Sequence, residues 1–266
     1  MTPGLLIIGT DTGVGKTLVS VSIVKALVAE GFRVGVLKPV ATGASLLATR
    51  IYSEDAERLR TALGTDVPLD RINPLLYRKP LAPPVAARIE GHPLYEAKLD
   101  RIVGEALDWW SERVDLMVVE GIGGFLCPLT ETTTAADLAV KLDFPLVVVA
   151  RRALGTLSQT LLTIEAARAR ELRLAGIVLN SAEPETDGLA ESTNAMELAR
   201  RLPGIAILAE VPYHEEETLS AQVHAVNWFK MARRSRMLRS TRTSLRSVAE
   251  TGPHSDSEPE GTSNHA

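Results

Sequence analysis

Apolar positions fall into two textures along this chain. Short unbroken runs alternate with longer stretches in which apolar residues recur every three or four positions. The first run is residues 5–8. Leu18, Val21, Ile23, Val24, Leu27 and Val28 then recur at helical spacing until Gly31. Further apolar runs at 33–37, 114–119, 145–150, 175–179 and 205–209 predict strands. Helices are predicted between them. One spans 54–63, with Ser53 as N-cap and Gly64 as stop. Others span 85–90, 94–113, 135–142 behind a capping box of Thr134 and Asp137, 156 to about 172 with Thr156 or Ser158 as cap, and 191–202. Residues 68–84 carry Pro74, Pro80, Pro83 and Pro84 and read as a surface loop. Alternating strand and helix predicts one α/β domain, a mostly parallel sheet with helices on both faces.

The turn after the first run changes the picture. Residues 5–17 read LLIIGTDTGVGKT. Strand, glycine-rich turn and helix start in series make a phosphate loop, whose backbone N–H groups and helix dipole favour anions. In such a loop Lys16 reaches the β- and γ-phosphates and Thr17 ligates Mg²⁺. The spacing is a variant, because Thr10 stands where the strict pattern has glycine and the glycine is Gly9.

Other strand ends carry chemistry too. Lys38 precedes Pro39, which keeps it extended. It reads as a charge for an anionic ligand or as a solvated edge residue. Glu120, followed by Gly121, Ile122, Gly123 and Gly124, suits a metal shell beside phosphates, or is a glycine turn after a chance carboxylate. Asp55 and Glu57 in the first turn of their helix read as dipole complements. The helix start near Gly155 is another N-terminus able to hold a carboxylate. Trp109 and Trp110 read as packing residues, His92 and His214 as surface residues, and Cys127 as packing under the glycine turn.

Composition limits the alternatives. The chain has 266 residues, 45% hydrophobic and 4% aromatic, a net charge of −4 and a single cysteine. The core must therefore be aliphatic, no internal disulfide forms, and no global charge draws the chain to nucleic acid or membrane. With no apolar run near the ~20 residues of a bilayer span and no secretory leader in view, a cytoplasmic protein is expected. Beyond Trp228 the chain turns Arg- and Ser-rich, then Gly-, Pro-, Ser- and acid-rich. The expected division is a domain over 1–229 and a basic, then disordered, extension over 230–266.

Taken in order, GTDTGVGKT, KPVATG and VVEGIGG resemble dethiobiotin synthetases, and the likeness runs from about residue 5 to residue 212. The resemblance implies a homodimeric, Mg²⁺-requiring, P-loop NTPase-like enzyme that uses ATP. It would close a cyclic urea on 7,8-diaminopelargonate with CO₂. Carried over by position, Gly13, Val14, Gly15, Lys16, Thr17 and Leu18 would bind the phosphates. Thr17, Asp55 and Glu120 would form the Mg²⁺ shell. Lys38 and Lys16 would be the catalytic lysines. Thr42 and Thr12 would contact substrate, as would Gly155, Thr156 and Leu157 from a partner subunit. Glu120, Gly121, Ile122 and Gly123 would line the nucleotide cleft. Asn180, Pro212, Tyr213 and His214 would hold the adenine.

The chain departs from that pattern in having Ser158-Gln159 where the family carries an Asn-His pair, and in Arg151-Arg152. The rival reading is a MinD/ParA-type ATPase acting as a nucleotide-gated dimer. Its loop has an additional lysine near the start, and residues 5–14 contain none. An amidotransferase-linked ligase would need a glutaminase domain, for which too few residues follow Pro212.

Overall fold

The computed structural model describes residues 2–233 apart from 48, 49, 183, 185–187 and 214–220. In chain order, β1 (Gly4–Gly9) leads through the loop into α1 (Lys16–Ala29) and β2 (Val34–Leu37). The short strands β3 (Val40–Thr42), β4 (Ser45–Leu47) and β5 (Arg50–Tyr52) precede α2 (Glu54–Leu63). Then come α3 (Leu69–Ile72), β6 (Leu75–Tyr77), α4 (Pro83–Ile89) and α5 (Glu96–Ser111). The second half runs β7 (Leu116–Gly124), α6 (Ala135–Leu142), β8 (Leu146–Arg151), α7 (Thr156–Arg168) and β9 (Leu174–Asn180). It ends with α8 (Gly188–Arg201), β10 (Ile207–Val211), α9 (Ala221–His224) and α10 (Trp228–Arg233).

Six strands form the central sheet in the order β10-β9-β8-β1-β7-β2, and every pairing in it is parallel. Strands β1, β2 and β8 are buried along almost their whole length, so both faces must be covered by helices. Strand order reverses around β1, which lies between β7 and β8. In open parallel sheets the ligand crevice lies beyond the carboxyl ends at such a switch point. The loop after β1, Lys38 after β2 and Asn180 closing β9 all stand at that edge.

Helix α1 differs from the apolar stripe expected of it. It is buried nearly all round, Ser20 and Ser22 included. It packs on the sheet, on α2 and on the terminal α9 and α10. The Ser22 hydroxyl donates to the Leu18 carbonyl at 2.9 Å, which satisfies it inside its own helix. In α10, Trp228 is fully buried and Phe229 stacks on Phe32 at 4.2 Å between centroids. This helix straddles the domain boundary expected at 229, and all of it belongs to the compact unit. The extension beyond it lies outside the described residues.

Other expectations need correction. Residues 68–84 are not a bare loop. Leu75 and Tyr77 are buried and β6 pairs with β3, while Pro83 and Pro84 occupy the first turn of α4, where proline's missing N–H costs nothing. Strand β7 does not stop before Glu120 but runs on to Gly124, with a register shift against β1 between Ile7 and Gly9. Neither Thr156 nor Ser158 caps α7; Gly155 is the N-cap residue, with no side-chain cap, and the helix ends at Arg168. The caps expected at Ser53 and Thr134 form as read. Ser53 accepts from the Ala56 N–H, and Thr134 and Asp137 make the full box.

Candidate active site

The loop between β1 and α1 is shaped by two glycines. Gly15 has φ 91°, and a Cβ there would lie 2.1 Å from Asn180 Nδ2. A Cβ on Gly9 would lie 2.8 Å from Lys16 Nζ, so glycine is needed there for the lysine to fold back. This explains the variant spacing: the position that must be bare is 9, not 10. At the start of the loop Asp11 Oδ1 accepts the Thr12 N–H at 2.7 Å. Val14 is buried behind it, and its carbonyl accepts from Asn180 Nδ2 at 3.0 Å.

Lys16 Nζ donates to the carbonyls of Asp11 (2.9 Å) and Gly123 (2.7 Å). Burial pulls its pKa from 10.5 down to about 8, with Glu120 opposing and Lys38 adding to the fall. Lys38 Nζ stands 2.5 Å from Asp55 Oδ2 and 2.6 Å from Glu120 Oε1. Burial alone would lower Lys38, but the charges and hydrogen bonds of Glu120 and Asp55 outweigh it and hold the ammonium raised. Burial pushes Asp55 up, while Lys38 and the Thr17 hydrogen bond bring it below the usual carboxylate range. Thr17 Oγ1 lies 2.8 Å from both Asp55 Oδ1 and Glu120 Oε1.

These side chains share one cleft of about 250 Å³. Thr12, Gly13, Gly15, Lys16, Thr17, Lys38, Thr42, Asp55, Glu120, Ile122 and Gly123 line it. Ala41, which the sequence did not single out, lines it as well. Gly121 faces a small apolar cavity shared with Glu120 and Ile122, and Leu18 packs on the core. Cys127 packs against Gly123 as expected, its thiol pushed up by burial. Pro212 and Tyr213 follow the end of β10 on the surface, and His214 lies outside the described residues. Gly155, Thr156 and Leu157 are not brought to this cleft. Buried Thr156 meets Thr160 at 3.4 Å inside α7.

Two supporting residues escaped the sequence reading. Asn73 Nδ2 donates to the Lys38 carbonyl at 2.8 Å, and the Lys38 N–H donates to Ile72 at 2.7 Å, so α3 holds the lysine's backbone. A lone asparagine after a four-residue helix gives no signal of this. Arg151 stands out in the sequence only as a departure from the family pattern, with no role. Its Nη2 donates to the Thr12 carbonyl at 3.1 Å, bracing the loop from β8. Its neighbour Arg152 pairs with Glu210 at 3.1 Å.

The donors around Thr17 suit a hard cation. One hydroxyl proton cannot fully serve two carboxylates, and among the described residues buried Glu120 Oε2 has no hydrogen-bond partner. Oxygen donors of this kind are those Mg²⁺ takes, with waters and nucleotide phosphates completing its shell. Among the described residues no cluster of three or more His, Cys, Asp or Glu forms a self-sufficient metal site.

Residues 3–220 match the AAA domain family. The chain is 47% identical over 199 residues to the ATP-dependent dethiobiotin synthetase BioD of Anaeromyxobacter dehalogenans, covering 74% of this chain and 84% of that one. The enzyme of the same name from Aromatoleum aromaticum is 38% identical over 205 residues, 77% of this chain and 88% of the relative. That from Thermodesulfovibrio yellowstonii is 34% identical over 223 residues, 81% and 91%. In fold, a ParA family ATPase from Chlorobium tepidum superposes with a TM-score of 0.50 at 16% identity, covering 87% of this chain and 97% of that one. At that identity the likeness concerns the fold alone.

Proposed function

The chain belongs to the ATP-dependent dethiobiotin synthetase family, and from that premise we propose which residues do the work. The reaction is the ATP-dependent carboxylation and ring closure of 7,8-diaminopelargonate with CO₂ to dethiobiotin. One amine takes up CO₂ as a carbamate, whose oxygen attacks the γ-phosphate of ATP. The second amine then displaces phosphate from the mixed anhydride and closes the urea.

The observation that carries the assignment is that Lys16, Lys38, Thr17, Asp55 and Glu120 line a single cleft at the carboxyl edge of the sheet. In-line phosphoryl transfer asks mainly for alignment and positive charge against the transferred group. Gly13, Val14, Gly15, Lys16, Thr17 and Leu18 bind the phosphates through backbone N–H groups and the Lys16 ammonium. Lys38 neutralises the carbamate so that two anions can approach. At ~4 Å and an effective dielectric near 20 such a pairing is worth about 4 kcal/mol before desolvation. Thr12 and Thr42 contact the substrate, and Ile122 and Gly123 form the wall beside the nucleotide, with Gly121 behind them.

Thr17, Asp55 and Glu120 hold Mg²⁺, which when bound offsets charge on the β- and γ-phosphates. Asn180, Pro212 and Tyr213 are assigned to the adenine, as is His214 by its position in the sequence. The enzyme is a homodimer in which Gly155, Thr156 and Leu157 of a second copy receive the substrate carboxylate at the start of α7. This fits their absence from the lining of their own cleft and the exposure of Leu126, Leu154 and Leu162. A cytoplasmic enzyme with no nucleic-acid or membrane partner completes the reading. Among the described residues no helix is long and apolar enough to cross a membrane. The ligase unit runs through α10.

Phosphate release from ATP should require both diaminopelargonate and bicarbonate and should yield dethiobiotin. Release that ignores both but responds to liposomes or DNA would replace this reading with the MinD/ParA one.

A further inference from the structure

The Lys38 ammonium sits among the three side chains assigned above to Mg²⁺. It contacts Asp55 Oδ2 at 2.5 Å and Glu120 Oε1 at 2.6 Å, and Thr17 Oγ1 bridges the same two carboxylates at 2.8 Å. Lys38 and Glu120 are almost completely buried. The oxygens are still under-supplied. The Lys38 ammonium and one hydroxyl proton serve both carboxylates, the charge of Arg58 also acts on Asp55, and among the described residues Glu120 Oε2 has no hydrogen-bond partner.

Glu120 is buried beside the partly exposed Asp55, and two carboxylates this close, one of them out of water, are costly without a cation, so a positive group is favoured here whether or not a metal is present. A Mg²⁺ ion needs its oxygens at about 2.0–2.1 Å in near-octahedral directions. An ammonium at hydrogen-bond distance from Glu120 Oε1 and Asp55 Oδ2 fills the space between the two carboxylates and takes up lone pairs that a metal bridging them would need. The two cations therefore compete for one set of oxygens.

We infer that Lys38 is the resident counter-ion of the metal site in the nucleotide-free protein, and that it leaves Asp55 and Glu120 when the metal enters. This rests on the Mg²⁺ assignment above. The exchange ties two events together. Metal entry displaces the ammonium from its carboxylates and frees it for the anionic end of the cleft. The empty protein in turn resists free metal, because a paired lysine must first be evicted. Metal thus enters with the nucleotide, whose phosphates supply both additional ligands for the metal and a new partner for Lys38.

The test uses Mn²⁺ as probe, titrated by electron paramagnetic resonance into the purified protein with and without a non-hydrolysable ATP analogue. Without nucleotide, Lys38→Met should bind Mn²⁺ at least about tenfold more tightly than wild type, a difference of about 1.4 kcal/mol. Equal or weaker binding by the variant overturns the exchange while leaving the metal assignment standing, provided both proteins hold Mn²⁺ with the analogue. If neither holds Mn²⁺ with the analogue, the metal assignment falls and takes the exchange with it. Should Lys38→Met not fold, a crystal of the wild type with Mn²⁺ and the analogue decides. Lys38 Nζ is then expected beyond about 4 Å from both carboxylates, outside ion-pair distance. An ammonium still bonded to both overturns the inference.

Discussion

Asn180 Nδ2 holds the Val14 carbonyl at 3.0 Å, and the same nitrogen would lie 2.1 Å from any Cβ on Gly15. The end of β9 thus both anchors the phosphate loop and forbids a side chain at its last glycine. Gly15→Ala meets that clash and a left-handed φ of 91° together. The variant should lose about 2–4 kcal/mol of stability, the scale of overpacking plus backbone strain. It should also lose measurable ATP binding. Urea unfolding and nucleotide titration check both; a variant of unchanged midpoint would show that the loop relaxes freely.

Lys16 is held charged at a cost. Its ordinary pKa of 10.5 falls to about 8 in the folded protein. Between those values the unfolded chain binds a proton the folded one does not, so this group makes stability rise with pH from about 8 to 10.5. Below pH 8 the penalty applies in full, about 3 kcal/mol at 1.36 kcal/mol per unit. Lys16→Met forfeits hydrogen bonds to Asp11 and Gly123, which offsets part of the gain. Near pH 7 the variant should be about 1–2 kcal/mol more stable than wild type, the difference shrinking toward pH 10, and should turn over no ATP. Denaturant curves at both pH values test the sign.

Lys38→Ala should retain the sheet and lose about two to three orders of magnitude in kcat, the scale for removing one transition-state donor. Single-turnover phosphate release is the measurement, and near wild-type turnover would remove Lys38 from the mechanism.

Arg151 reaches the loop through a guanidinium hydrogen bond to the Thr12 carbonyl at 3.1 Å. Arg151→Ala should raise KM for ATP about tenfold, as expected for a charge-assisted hydrogen bond of about 1.5 kcal/mol. The kcat should change far less. A fall in kcat with KM unchanged would place Arg151 at the reacting atoms instead.

Trp228 is fully buried, and its indole N–H donates to the Val223 carbonyl at 2.7 Å. Trp228→Ala should cost about 3–5 kcal/mol, the range for emptying a large aromatic site. Thermal unfolding would show it. A small loss would mean that α10 is not part of the core.

Much of this protein was legible along the chain because local rules governed it. Unbroken apolar runs mark strands buried on both faces, so the six-strand parallel sheet could be read from periodicity. Ser53, Gly64, Thr134 and Asp137 act on backbone groups within a few residues, and each behaves as its spacing says. The phosphate loop is likewise a contiguous segment. Tertiary structure decided what depends on residues far apart in sequence. Nothing near Lys38 indicates that Asp55 and Glu120 clasp it, or that Asn73 holds its carbonyl. Residues 68–84 conceal a strand because the pairing that makes one is supplied by β3. Helix α1 is buried nearly all round because α9 and α10 return from late in the chain to pack on it as well. Local hydrogen bonding and periodicity travel with the chain; burial and the pairing of charges exist only once distant segments meet.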